Sequence, residues 1–176
     1  MKARTRILGV GSPFGEDRLG WLAIDFIRAS RWYRSQRAGA VSAESLDRPG
    51  PALLAAMDGA SHAVLIDAVR GAATPGTLLC VALEQLDWSA DAFVSGHAFG
   101  LADTLLLGRA LALLPPRLTL LAVEASRAES NDETSGEMRA ALPAILQRVE
   151  ACVAEEEGAR CAAAATRRRQ GERHHE

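Results

Sequence analysis

The sequence predicts an α/β domain built on a twisted, mostly parallel five-stranded sheet with one antiparallel edge strand and helices on both faces. Short apolar runs typical of strands alternate along the chain with longer segments of helical period, the pattern of βαβ units. One connection, residues 70–76, is too short and too rich in Gly and Pro for a crossover helix. The strand after it is therefore predicted to turn back antiparallel at an edge.

In the first half of the chain, the pattern predicts three strands and two helices. An apolar run over residues 5–11 indicates the first strand, and one apolar face with a period of 3.6 residues indicates a helix over 19–31. Residues 40–45 form the second strand, and a Pro/Gly-rich turn leads from it into a helix through Leu53. The third strand, residues 62–67, is a continuous apolar run that ends in an aspartate.

In the second half, the antiparallel strand covers residues 77–83. A broad apolar stripe predicts a helix over 101–113, which two consecutive prolines terminate. The last strand is 118–123, a polar and acidic loop covers 124–133, and a helix over 136–155 completes the domain.

Length and composition indicate the class of protein. The 176 residues suit one domain, placed at 1–157, and the alanine- and arginine-rich segment 158–176 is predicted to be a disordered tail. A net charge of −2 argues against a nucleic-acid partner. No apolar run approaches the roughly 18 residues of a membrane span, so a cytoplasmic protein is predicted, and without heptads a monomer is favoured.

Three turns each carry a side chain that can bind a metal or handle a proton. Asp17 lies in the Gly-rich loop after the first strand, Asp67 ends the third strand, and His97 follows Ser95 and Gly96. In an open α/β sheet these positions converge beyond the carboxyl ends of the strands. Two carboxylates and an imidazole suit a divalent ion such as nickel, zinc or manganese. Without a metal, the two aspartates would share a proton as an acid/base dyad, and the residues alone leave both chemistries open.

Each candidate also has an ordinary structural interpretation. Asp17 suits the N-cap of a helix, Asp67 suits a local hydrogen bond at a turn, and a lone His97 is often structural or exposed.

A nucleotide-binding loop is a further alternative, because Gly9-x-Gly11 follows a strand. The third glycine of the dinucleotide motif falls on Phe14, however. Glu16 and Asp17 would also stand where the pyrophosphate rests and would repel it. This loop therefore favours a cation or a proton over a phosphate.

Over residues 7–149 the chain resembles the hydrogenase maturation endopeptidases. Residues 9–20 resemble the family's opening G-x-G-N-x-hydrophobic loop, whose second acidic residue before a helix is a ligand. Residues 65–69, followed by 75–77, resemble its strand-end I-D-A and later P-G-T. Residues 95–103 resemble its S-x-H-x-x-G-L segment. Three modest motifs in the family's order make a specific signal together.

The resemblance implies an endopeptidase that removes the C-terminal extension from the large-subunit precursor of a nickel-iron hydrogenase after nickel insertion. Nickel supplied by that precursor would be recognised by Asp17, Asp67 and His97, the implied catalytic and metal-binding residues. Cleavage by metal-activated water and cleavage by a carboxylate base, as in an aspartic-type endopeptidase, both stay open. The alternative is a non-catalytic maturation factor that binds nickel or the precursor.

The chain departs from the family pattern at three places. Ser12 replaces the usual Asn, and the first loop is one residue shorter, so that Glu16 and Asp17 both remain candidates for its ligand. Residues 44–48 replace a more Gly-rich turn and are predicted to border the crevice and affect substrate choice. The sequence of residues 12–21 resembles that of the family branch that serves soluble NAD-reducing hydrogenases.

Overall fold

The computed structural model describes residues 4–71, 73–82, 85, 101–126 and 133–172, with side chains described as far as Gly158. The strands are β1 (Thr5–Gly11), β2 (Val41–Asp47), β3 (His62–Val69), β4 (Leu78–Ala82) and β5 (Arg117–Glu124). The helices are α1 (Leu19–Ala29), α2 (Arg31–Arg34), α3 (Ala52–Met57), α4 (Leu101–Ala110), α5 (Gly136–Ala140) and α6 (Leu142–Glu172), and a 3₁₀ turn covers Gly15–Arg18.

The strands form one sheet in the order β2-β1-β3-β5-β4. All neighbouring pairs are parallel except β4 and β5, which are antiparallel. The short connection between β3 and β4 leaves no room for a crossover helix, which forces this reversal. The predicted mixed sheet, with its antiparallel strand at an edge, is confirmed.

Both faces of the sheet are buried under helices. On one face, side chains from β1, β3 and β5 pack against α1, α5 and α6. On the other face, the alternate residues of the same strands pack against α3 and α4. The result is the predicted three-layer α/β fold. No described helix is long and apolar enough to cross a membrane.

The first strand and first helix approach each other unusually closely. A Cβ added to Gly9 would lie 2.1 Å from the carbonyl oxygen of Gly20, and a Cβ added to Gly20 would lie 2.2 Å from that of Val10. Glycines at these two positions therefore let the backbone of α1 pack directly against β1. Close packing against α1, rather than phosphate binding, therefore explains why a glycine stands at position 9 of the Gly-x-Gly pair.

The C-terminal region differs from the prediction in two ways. The helix expected over 136–155 is divided at Ala141, because Pro143 has no amide to continue the hydrogen-bond ladder from α5. The segment 158–176, expected to be disordered, is helical as far as Glu172, since alanine and arginine are strong helix formers.

Candidate active site

The candidate site is a cleft beyond the carboxyl ends of β1 and β3. The chain leaves β1 through α1 to reach β2 on one side, and returns through α3 to β3 on the other side of β1. A sheet opens a crevice where strand connections diverge in this way, and ligands of α/β proteins bind in it. The cleft is lined by Val10, Gly11, Arg48, Pro49, Gly50, Leu53, Asp67, Leu101 and Thr104.

Asp17 lies in the 3₁₀ turn that joins β1 to α1, and this turn packs against both β1 and β3. The turn folds back on the strand end, since a Cβ on Gly11 would lie 1.9 Å from the Asp17 carbonyl oxygen. The Ser12 amide donates to that oxygen at 3.3 Å. The N-cap position of α1 is Arg18, so the structure does not support Asp17 as the cap.

The neighbouring carboxylate, Glu16, is directed elsewhere. Its Oε2 accepts a hydrogen bond of 3.3 Å from the Ser135 amide at the start of α5. The Thr134 hydroxyl, in turn, donates to the Gly15 carbonyl at 2.8 Å. Glu16 thus ties the loop to α5, whereas Asp17 is the carboxylate of this loop whose charge acts on Asp67.

Asp67 is a buried carboxyl group near the carboxyl end of β3, two residues before Val69, with 2% of its surface exposed. The Ala68 amide donates to its Oδ1 at 2.8 Å, which is the local hydrogen bond that its position suggests. Burial raises the pKa of Asp67 to about 7, and the negative charge of Asp17 acts in the same direction. A carboxyl with this pKa is present in both protonation states near neutral pH, as a general acid or base requires.

The third predicted residue, His97, lies outside the described residues. The next described segment begins with Leu101, which lines the cleft together with Thr104. Among the residues that the structure describes, no three His, Cys, Asp or Glu side chains are grouped to hold a metal ion. Of the predicted site residues, Asp17 and Asp67 are the two that the structure describes, and they lie close enough for the charge of Asp17 to raise the pKa of Asp67.

Glu124 is a buried acidic residue that the sequence assigned to a polar loop. It is instead the last residue of β5, with 2% of its surface exposed, and it pairs with Val69 two residues beyond Asp67. Its Oε1 accepts a hydrogen bond of 2.7 Å from the Gly71 amide. The signal was present, because Glu124 follows an apolar run just as Asp67 does.

Replacement of Glu124 by Ala is expected to lower the free energy of unfolding by about 2 kcal/mol, because the Gly71 amide loses its buried acceptor. Glu124→Gln keeps an acceptor oxygen at the same place and should cost less than half as much. Urea unfolding of both variants measures the difference. Equal losses would show that the hydrogen bond to Gly71 contributes little.

Comparison with known proteins gives a consistent result. Residues 49–152, more than half of the chain, match the model of the family described as hydrogenase maturation protease. No curated protein sequence matches the chain.

Among solved structures, the fold is similar to hydrogenase maturating endopeptidase HybD from Escherichia coli, with a TM-score of 0.70 and 24% identity over 87% of this chain and 93% of that one. It is also similar to an endopeptidase from Escherichia coli determined in solution, with a TM-score of 0.70 and 25% identity over 87% and 93% of the two chains. The [NiFe] hydrogenase maturation protease HybD from Thermococcus kodakarensis has a TM-score of 0.66 and 20% identity over 85% and 99%. On the family match and this shared architecture, the chain belongs to the hydrogenase maturation protease family.

Proposed function

We propose that this protein removes the C-terminal extension from the large-subunit precursor of a nickel-iron hydrogenase once nickel has been inserted. The observation that carries the proposal is the buried Asp67 carboxyl group at the switch-point cleft, whose pKa is raised to about 7 by burial and, to a smaller extent, by the charge of Asp17. Membership of the family supplies the class of reaction. Processing of a soluble NAD-reducing hydrogenase stays a prediction.

Nickel, on this proposal, belongs to the substrate. Carboxylate oxygens and an imidazole nitrogen bind such an ion more weakly than the thiolates of a precursor would, so the protease can sense the metal without removing it. Asp17 and Asp67 supply the oxygens, and His97 is proposed as the nitrogen donor.

The proton chemistry falls to Asp67. A carboxyl group with a pKa of about 7 accepts a proton from water near neutral pH and returns it to the leaving amine. A nearby cation favours the ionised form of Asp67, which is the form that can accept a proton. This dependence on the cation supports cleavage that begins only when the precursor carries its metal.

The test compares nickel-loaded and nickel-free precursor, with the released extension measured by intact mass. We expect cleavage of the loaded form alone. Asp17→Asn and His97→Ala are expected to lower kcat/KM by about a hundredfold or more, the usual scale for a lost acid, base or charge at a reacting centre.

The matched control for Asp17→Asn is Glu16→Gln, which neutralises the adjacent carboxylate but leaves an oxygen to accept from the Ser135 amide. Its activity should stay within a few-fold of the unaltered protein. If Glu16→Gln were inactive and Asp17→Asn active, the assignment within the loop would be reversed. If the folded protein bound loaded precursor and cleaved none, the non-catalytic maturation factor would replace the endopeptidase.

A further inference from the structure

Arg48 adopts a backbone conformation that a non-glycine residue rarely takes. Its φ is 40°, in the left-handed region, and it directly precedes Pro49, which restricts its backbone further. The conformation is held in place by the Arg48 amide, which donates to the Gly11 carbonyl at 2.9 Å. Strain of this kind persists where the surrounding structure enforces it, and it is concentrated at functional sites.

The side chain of Arg48 stands at the cleft rather than in the core. Arg48 lines the cleft together with Asp67, and 57% of its side chain is exposed. Its Nε donates to Asp47 Oδ1 at 2.9 Å, which fixes the plane of the guanidinium. Asp47 chiefly, and Asp17 to a smaller extent, raise the pKa of Arg48, so this cation lies within electrostatic reach of the acidic site.

The ion pair with Asp47 does not explain an arginine here. Both partners are largely exposed, and such surface pairs contribute little to stability. Glycine would satisfy the turn without the steric penalty of a Cβ at positive φ. Among the described residues, Nη1 and Nη2 make no hydrogen bond, and a guanidinium offers donors only.

We propose that Arg48 is a substrate-binding residue whose guanidinium donates hydrogen bonds to an oxygen of the precursor peptide beside the cleavage point. The acceptor is either a main-chain carbonyl or an acidic side chain of the precursor. This inference rests on the proposed function, and it assigns a specificity role to the turn after β2.

The test uses three variants of the full chain. Arg48→Gly removes the donors and suits the backbone conformation, so its Tm should be no lower than that of the unaltered protein. Its KM for loaded precursor should rise about tenfold or more, with kcat within about threefold, as expected for a charged hydrogen bond made equally in the ground and transition states. Arg48→Lys should recover part of the loss. Arg34→Ala, which removes an exposed arginine of α2, should change neither constant.

An unchanged KM in Arg48→Gly, or an equal loss in Arg34→Ala, would overturn the assignment. Precursors whose acidic residues near the cleavage point are changed to amides separate the two acceptors. The Arg48→Gly penalty should vanish with these precursors if an acidic side chain is bound, and persist if the acceptor is a carbonyl.

Equilibrium binding of the same loaded precursor distinguishes failure of this assignment from failure of the proposed function. Binding that weakens in Arg48→Gly, in a protein that cleaves nothing, would overturn the endopeptidase and keep Arg48 as a binding residue. A protein that neither binds nor cleaves the precursor would overturn both.

Discussion

Asp67→Asn is expected to lower cleavage of loaded precursor by at least about a hundredfold while making the protein more stable above pH 7. Asparagine keeps an oxygen for the hydrogen bond from the Ala68 amide, which is 2.8 Å from Asp67 Oδ1. It cannot ionise, and so it escapes the cost of a buried charge. Stability and activity therefore change in opposite directions at this position, as expected where a buried charge needed for activity destabilises the fold.

The pH dependence follows from the raised pKa of Asp67. The group has a pKa of about 7 when folded, against an ordinary value of 3.8, so between these values the folded state holds a proton that the unfolded state has lost. The free energy of unfolding therefore falls as pH rises from about 4 to 7 and levels off above. At about 1.4 kcal/mol per pKa unit, the cost at pH 8 is about 4 kcal/mol. Asp67→Asn should regain only about 2 kcal/mol of this stability, because the buried amide nitrogen of asparagine also needs a hydrogen-bond partner.

Urea unfolding at pH 5 and pH 8 measures this effect. The gain in Asp67→Asn should be large at pH 8 and close to zero at pH 5. Asp25→Asn, at an exposed aspartate of α1, serves as the matched control and should show no such difference. A gain of equal size at both pH values would mean that ionisation of Asp67 is not its source.

One sequence pattern predicts both the sheet and the carboxylates at the carboxyl ends of its strands. An apolar run long enough for a buried strand, ending in a charged residue, places that residue at the rim of the sheet, and Asp67 was predicted on this basis. The same rule applies to Glu124, which was nevertheless assigned to a loop because the acidic residues after it outweighed the strand before it. Glu124 and Asp67 differ in their hydrogen-bond partners, which the sequence does not reveal. Glu124 accepts from the amide of Gly71, a residue distant in sequence, whereas Asp67 accepts from the amide of its neighbour Ala68.

The choice between Glu16 and Asp17 shows where sequence reasoning stops. Both residues lie just before α1, and a loop one residue longer or shorter would change which of the two carboxylates acts on Asp67. What distinguishes the two residues is the hydrogen bond from the Ser135 amide to Glu16. Ser135 is more than one hundred residues away in sequence, so the local sequence pattern cannot predict this contact. The left-handed Arg48 was equally hidden, because Asp47-Arg48-Pro49 predicts a turn but not the φ of its central residue.

Gly9→Ala is expected to lower the free energy of unfolding by about 3 kcal/mol or more. The new Cβ would lie 2.1 Å from the Gly20 carbonyl oxygen and 2.7 Å from Ile24 Cγ1, so α1 must move away from β1. Because Asp17 lies two residues before α1, this movement also displaces it from Asp67. The fraction that remains folded should therefore show a reduced kcat/KM, which cleavage assays at matched folded concentration measure.

The same contact predicts the behaviour of Gly20→Ala and of the double variant. Alanine favours a helix over glycine by about 1 kcal/mol, which offsets only part of the clash with the Val10 carbonyl at 2.2 Å. Once one Cβ has moved α1 outward, the second meets less resistance, so the double variant should lose clearly less stability than the two single losses added together. Gly136→Ala, where no atom lies within 4 Å of the added Cβ, should change stability by less than about 0.5 kcal/mol. Additive losses would mean that the two glycines do not share one contact, and that the position of Asp17 is set by something other than the approach of α1 to β1.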